Sequence, residues 1–160
     1  MECLGEVDLG KEKFYIKHEG IYMFGGVFGE NLLERKLNNK TFFFPIGKDA
    51  LHRWKEIETV GSAPEGRFYH GQHYYERGNY IVVFGGRRLS TPAPDTYYSS
   101  EWVNEIALLR LDTLTWHKVH FKKELLSLKC FPHLFNFSSE LIDDRIIVFG
   151  GMFKTYSQSK

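Results

Sequence analysis

The sequence has little of what marks a secreted or membrane protein. Its 160 residues include only two cysteines, Cys3 and Cys130, too few for a disulfide framework, although a single bridge is conceivable. The N-terminal stretch MECLGEVDLGKEKF is acidic and lacks the apolar core of a secretory signal. No run of about 18 apolar residues could span a bilayer. We therefore expect reduced cysteines, a cytoplasmic location and no membrane partner.

The sequence also lacks an excess of charge and a recognisable reaction centre. A formal net charge of +1 gives no general attraction to nucleic acid. No glycine loop with a lysine is present to hold phosphate, and no nucleophile–base pair is evident. The histidines are scattered, and His70 and His73 are three residues apart, which places them on opposite faces of a strand. These observations predict no metal, no cofactor and no nucleic-acid partner.

What the sequence does contain is a repeated pattern of short apolar runs that end in two glycines. The runs IYMFGG, IVVFGG and IIVFGG each follow a turn signal. The first glycines of these pairs are Gly25, Gly85 and Gly150, which lie 60 and 65 residues apart. An aromatic content of 16% and 15 glycines suit strands joined by many turns. A strand-rich repeat of this length indicates a propeller-type repeat with loop insertions.

Further strands are predicted between the glycine pairs. Residues 106–111 are apolar on both faces apart from Arg110 and predict a buried strand. Residues 112–115 predict a turn, and residues 116–119 a returning strand. A helix over NEIALLRL, residues 104–111, is the alternative. The same order appears earlier, with strands at residues 41–44 and 53–57 around a turn at residues 49–52.

The motifs IVVFGG, LDTLTWHKV and WKEIETVGSAPEGRFYH resemble those of kelch-repeat proteins. The resemblance covers roughly residues 12–153 and leaves tails at residues 1–11 and 154–160. It implies an all-β fold, a partial kelch-type β-propeller of about two full blades and part of a third. Propellers close with about four to eight blades, so the resemblance also implies further blades or self-association.

The resemblance implies structural roles for the repeated residues. Trp54 and Trp116 are expected as large apolar wedges between blades. Arg67 and His70 are expected to bond carbonyl groups where one blade crosses to the next, and the third hairpin keeps Pro132 and His133 without an arginine. The glycine pairs are expected to end strands. These glycines are Gly25, Gly26, Gly85, Gly86, Gly150 and Gly151.

The loops are where such a scaffold would bind a partner. Exposed loops are expected at residues 27–40, 59–68, 87–104 and 122–132. The third of these is the richest in the side chains that dominate protein-binding hot spots. We expect the contact residues to be Arg87, Arg88, Tyr97, Tyr98 and Trp102.

The function implied by the resemblance is a non-enzymatic protein–protein interaction module, a scaffold or adaptor whose partner the sequence does not name. The alternative is a fragment of a kelch-propeller enzyme, either similar to galactose oxidase with copper or dependent on iron held by Glu-x-x-x-Asp-x-x-x-His. Glu140 and Asp144 have the spacing of the iron motif, but Val148 stands in place of the histidine.

Overall fold

A computed structural model of the chain describes residues 19–29, 36–46, 53–89, 100–120 and 133–153. These residues form sixteen β-strands and one short 3-10 helix. The strands fall into three successive units, here called blades 1 to 3, each built around one glycine pair. The all-β prediction is confirmed, and the helix considered for residues 104–111 is wrong because that segment pairs as a strand on both sides.

Blade 1 is an antiparallel sheet with the strand order β1-β4-β5. Between β1 and β4 the chain passes the glycine pair and forms a small two-stranded ribbon, β2-β3. Its register places Tyr22 opposite Phe43, and the two rings lie 4.7 Å apart. The strands expected near residues 41 and 55 are present, whereas the turn expected at residues 49–52 lies outside the described residues. The bounds are β1 Gly20–Phe24, β2 Val27–Phe28, β3 Lys36–Leu37, β4 Thr41–Pro45 and β5 Lys55–Ile57.

Blade 2 is a five-stranded sheet with the order β6-β12-β11-β8-β7. Strand β6 comes from the crossing out of blade 1 and pairs in parallel with β12, while all other pairs are antiparallel. A 3-10 helix at Glu76–Gly78 joins β7 to β8, and β9 pairs with β10 after the glycine pair. The bounds are β6 Val60–Gly61, β7 Gly71–Tyr75, β8 Tyr80–Phe84, β9 Arg87–Leu89, β10 Ser100–Trp102, β11 Ile106–Arg110 and β12 Thr115–Lys118.

Blade 3 is described as one hairpin and one short ribbon. Strands β14 and β15 pair antiparallel around the turn at Asp143 and Asp144, as the turn signal predicted. Strand β13, just before the hairpin, pairs with β16, just after its glycine pair. The bounds are β13 Leu134–Phe135, β14 Ser138–Ile142, β15 Arg145–Phe149 and β16 Met152–Phe153.

The core lies between blades 1 and 2. All five residues of β8 are buried, as expected for a strand covered on both faces. On one face of blade 2, Val83 and Trp116 pack in the same apolar cluster as Phe24 of blade 1. The Trp116 ring is 2% exposed and meets the Phe24 ring edge-on at 5.0 Å. Trp116 therefore fills the space between two blades.

Trp54 has the place in blade 1 that Trp116 has in blade 2, but among the described residues no blade covers it, so its role as a wedge stays a prediction. Its side chain is 47% exposed and contacts the ring of Phe44 in its own blade at 5.3 Å. The reason is the side of the sheet on which it lies. Phe24, on the other side of blade 1, meets blade 2, whereas no described blade packs on the side of Trp54.

Candidate functional site

The glycine pairs are the points at which one blade holds the next. The amide of Gly26 donates a hydrogen bond to the carbonyl of Arg67 at 2.8 Å, and the amide of Gly86 donates one to the carbonyl of Leu134 at 2.7 Å. Gly85 has φ +65°, and a Cβ atom there would lie 2.7 Å from the Leu134 oxygen. Glycine is therefore required both by conformation and by the close approach of the next blade.

These equivalent bonds align the two blade crossings residue by residue. Arg67 corresponds to Leu134, because each carbonyl accepts from the second glycine of the preceding pair. Two residues later, Tyr69 and Asn136 both have a left-handed backbone, with φ 56° and φ 53°. Phe137 is consequently the counterpart of His70. His133, the histidine that the sequence pattern of the third hairpin keeps, lies four residues before this position.

Arg67 is a fully buried cation at the crossing from blade 1 to blade 2, with 0% exposure. It donates from Nη2 to Glu105 Oε2 at 2.7 Å, from Nη1 to the Gly85 carbonyl at 3.4 Å and from Nε to the Glu65 carbonyl at 3.2 Å. Lys118 also pairs with Glu105, at 2.9 Å. Arg67 thus ties the crossing to the glycine pair of its own blade.

Glu105 is a partner of Arg67 that the sequence reasoning missed, because 38 residues separate the two and Glu105 lies in a connection between strands. Burial raises the pKa of its carboxyl, but hydrogen bonds from Lys118 and Arg67, together with their charges, outweigh burial and hold the pKa below its usual range. The carboxylate therefore stays ionised beside the buried guanidinium.

His70 lies beside Arg67, with its ring 6.0 Å from that of Phe24. Burial, followed by the charge of Arg67, lowers the pKa of His70 to about 4, although backbone hydrogen bonds with Phe24 and Arg67 act in the opposite direction. The imidazole is therefore neutral at pH 7 and acts as a packed ring between blades.

This pKa predicts a loss of stability in mild acid. Between the ordinary histidine pKa of 6.5 and about 4, the unfolded chain binds a proton that the folded chain does not, so the free energy of unfolding falls as pH falls. Full loss would amount to about 3 kcal/mol. Urea unfolding followed by circular dichroism from pH 7.5 to 4 measures it. His70→Phe introduces the residue found at the equivalent position, Phe137, and is expected to flatten the dependence of the free energy of unfolding on pH between 6.5 and about 4. If that dependence is unchanged in the variant, His70 is not its source.

The β9-β10 ribbon brings together three of the five predicted contact residues. The Arg87 guanidinium lies 4.7 Å from the centre of the Phe135 ring, and the Trp102 ring meets Phe135 edge-on at 4.5 Å. Both side chains are thus packed on blade 3 and anchor the ribbon. Tyr97 and Tyr98 lie outside the described residues.

Arg88 has a different environment from Arg87. Its guanidinium, about two-fifths exposed, forms ion pairs with Glu65 from the crossing and with Glu101 across the ribbon, the latter at 2.6 Å. These hydrogen bonds, Glu101 first, raise the pKa of Arg88 above its usual range. Arg88 therefore links two surface segments and keeps a charged face open to solvent.

Exposed apolar side chains also follow each of the three glycine pairs, and the sequence reasoning did not select them. Phe28, Leu89 and Met152 are each exposed and follow a glycine pair by two, three and one residues. Tyr69 is exposed as well, since its left-handed backbone turns it outward. We call this surface the glycine-end rim. Its members are Phe28, Glu65, Tyr69, Arg88, Leu89, Glu101 and Met152.

Polar side chains in the middle of the strands and at the hairpin turns link blades 2 and 3. His73 Nε2 and Ser139 Oγ are 2.8 Å apart, and Asp144 accepts hydrogen bonds from Tyr75 at 2.9 Å and Arg77 at 2.5 Å. Asp144, considered above for the iron motif, is thus engaged in a contact between blades. Within the described ranges, no three histidine, cysteine or carboxylate side chains are grouped so as to hold a metal ion.

Comparison with known proteins agrees with this architecture. A family model described as the KLHDC2/KLHL20/DRC7 Kelch-repeats domain matches residues 14–159, whereas comparison with curated proteins finds no significant match. In the part of the chain that the structure describes, no helix has the length and apolar character needed to cross a bilayer. Since the matched region includes all three glycine pairs and both blade crossings, the chain belongs to the kelch-repeat family.

Proposed function

We propose that the chain is a non-enzymatic module that binds a protein partner through its glycine-end rim. Kelch-repeat domains are in general protein-interaction modules. The observation that carries the proposal is an exposed apolar side chain within three residues after the glycine pair in each of the three blades, namely Phe28, Leu89 and Met152. Apolar side chains held outward together mark a protein-binding surface more often than isolated ones do.

Backbone hydrogen bonds hold two ribbons of the rim to their blades, and such ordering lowers the entropy lost on binding. The β2-β3 ribbon is fixed by the amide of Asn38, which donates to the Gly26 carbonyl at 2.9 Å. The β9-β10 ribbon is fixed in the same way by Val103, which donates to the Gly86 carbonyl at 3.0 Å. Phe28 and Leu89 are therefore exposed on ribbons that are fixed to their blades, while Arg87 and Trp102 pack inward on Phe135.

The charges of the rim favour a protein over a polyanion. Arg88 is shared between the carboxylates of Glu65 and Glu101, so this cluster has more acid than base. Nucleic-acid binding depends on basic side chains that neutralise phosphates. The aromatic, methionine and arginine side chains of the rim are instead types enriched at protein interfaces. The cytoplasmic location expected from the sequence stays a prediction.

Site-specific photo-crosslinking would test the rim directly. A benzophenone amino acid in place of Tyr69 is expected to capture a discrete protein in cells. The same residue in place of Tyr74, another exposed tyrosine of blade 2, provides the matched control, because it lies near the hairpin turn at the other end. Equal capture from both positions, or capture from position 74 alone, would place the contact surface elsewhere.

Affinity for the captured protein then separates the contributions of the rim. Replacing Arg88 and Leu89 by alanine is expected to weaken binding by at least about 2 kcal/mol, the scale of interface hot spots, with an unchanged circular dichroism spectrum. Tyr97 and Tyr98 remain predicted contacts, and their joint replacement by alanine tests them separately. Undiminished affinity in the Arg88 and Leu89 variant would contradict the proposed surface.

A further inference from the structure

Two interfaces of the same kind occur within the described structure. Each blade has a leading face, which meets the blade before it, and a trailing face, which meets the blade after it. The trailing face of blade 1 presents Phe24, which is covered by Trp116 of blade 2. The trailing face of blade 2 presents Phe84, whose ring stacks on Phe137 of blade 3 at 5.2 Å. As a result Phe24 and Phe84 are only 3% and 1% exposed.

Among the described residues, one trailing face and one leading face are not covered by another blade. On the trailing face of blade 3, Phe149 occupies the position of Phe24 and Phe84, yet it is 81% exposed. Ile147, on the same face, is exposed as well. The residue after Phe149, Gly150, has the same left-handed backbone as the other glycines, with φ +69°. However, no atom lies within 4 Å of the position that a Cβ atom would take there. At Gly25 and Gly85 that space is taken by the next blade.

The other open face is the leading face of blade 1. It presents Ile21, Met23 and Trp54, all exposed. Their counterparts on the leading face of blade 2 are buried against blade 1, and these counterparts are Ile81, Val83 and Trp116. The leading face of blade 1 therefore has the same apolar pattern as a face that covers a trailing phenylalanine elsewhere in the molecule.

We propose that the trailing face of blade 3 binds the leading face of blade 1 in a second copy of this chain. Inside the molecule a leading face covers the trailing face of the blade before it. One copy of the chain therefore offers an exposed leading face and an exposed trailing face that can cover each other between copies. Such a head-to-tail contact differs from a symmetric one, because two different patches meet, and it closes into a ring when the rotation permits. Two copies would bring together about four full blades and two partial ones, within the four to eight of closed propellers.

Sedimentation equilibrium of the whole chain at micromolar concentration tests the contact. Wild-type protein is expected at a mass of at least twice 18.8 kDa. Ile21→Glu, in the leading face, and Phe149→Glu, in the trailing face, are each expected to lower the mass to that of one chain. Val60→Glu is the control, because Val60 is also exposed but lies on the outer edge of blade 2, and its mass is expected to match that of wild type.

Mixing the two variants distinguishes the head-to-tail contact from other associations. Ile21→Glu retains an intact trailing face and Phe149→Glu an intact leading face, so an equimolar mixture is expected to recover a species of two chains. A wild-type protein of one chain mass would overturn the proposal, whether or not the variants fold. Association that survives Ile21→Glu and is lost only in Phe149→Glu would also overturn it, since it would show that two Phe149 faces pair with each other.

Discussion

Replacing Trp116 with alanine is expected to lower the free energy of unfolding by about 3–5 kcal/mol, the usual loss for a buried tryptophan. The indole lies in a cluster with Ile81, Val83 and Leu109 and against Phe24 of the neighbouring blade. Its removal leaves a cavity between two sheets, neither of which can close it without shifting the other. Chemical denaturation followed by far-ultraviolet circular dichroism measures the change without relying on tryptophan fluorescence.

Trp54→Ala is the matched control for this prediction, since Trp54 has the same place in blade 1. Its ring is half exposed and packs chiefly on Phe44, so the loss is expected to be less than half of that for Trp116, about 1–2 kcal/mol. The measurement should be made at low protein concentration, where association of copies is weakest. Equal losses for the two variants would show that the blades are not packed as described.

The repeat and its strands could be predicted from the sequence because each depends on local patterns. An apolar run before two glycines specifies a buried strand and its end wherever it occurs, and β8 has this form. The turn at Asp143 and Asp144 and the return of the chain at Trp116 depend on equally local signals. The family resemblance then gave the order of the strands, which local patterns alone do not determine.

The long-range contacts, within blade 2 and between blades, could not be predicted, because they join residues far apart in the chain. Nothing near Arg67 in the sequence points to Glu105, and nothing near His73 points to Ser139. The exposure of Trp54 was missed for a related reason: the motif gives the residue type, whereas burial depends on whether another blade covers that face. The rim escaped notice because single exposed apolar residues such as Leu89 become meaningful only when the blades place them at one end.

Replacing Arg67 with alanine is also expected to lower the free energy of unfolding by about 3–5 kcal/mol. Two effects combine in this variant. The crossing loses its hydrogen bonds to the carbonyls of Glu65 and Gly85, and among the described side chains the partly buried carboxylate of Glu105 keeps Lys118 alone as a partner. A buried charge that loses its partner is strongly destabilising, whereas an exposed one is solvated by water.

Arg88→Ala provides the control, because Arg88 also pairs with two glutamates but on the surface. Its loss is expected to stay within about 1 kcal/mol, the range of exposed ion pairs. A double-mutant cycle of Arg67→Ala with Glu105→Gln then isolates the buried pair. Glu105→Gln removes the carboxylate charge that Arg67→Ala deprives of its guanidinium partner. The double variant should therefore be more stable than the sum of the two single losses predicts, by at least about 1 kcal/mol. Strict additivity would mean that Arg67 stabilises the crossing through the carbonyl groups alone, and that the carboxylate beside it is already satisfied by Lys118.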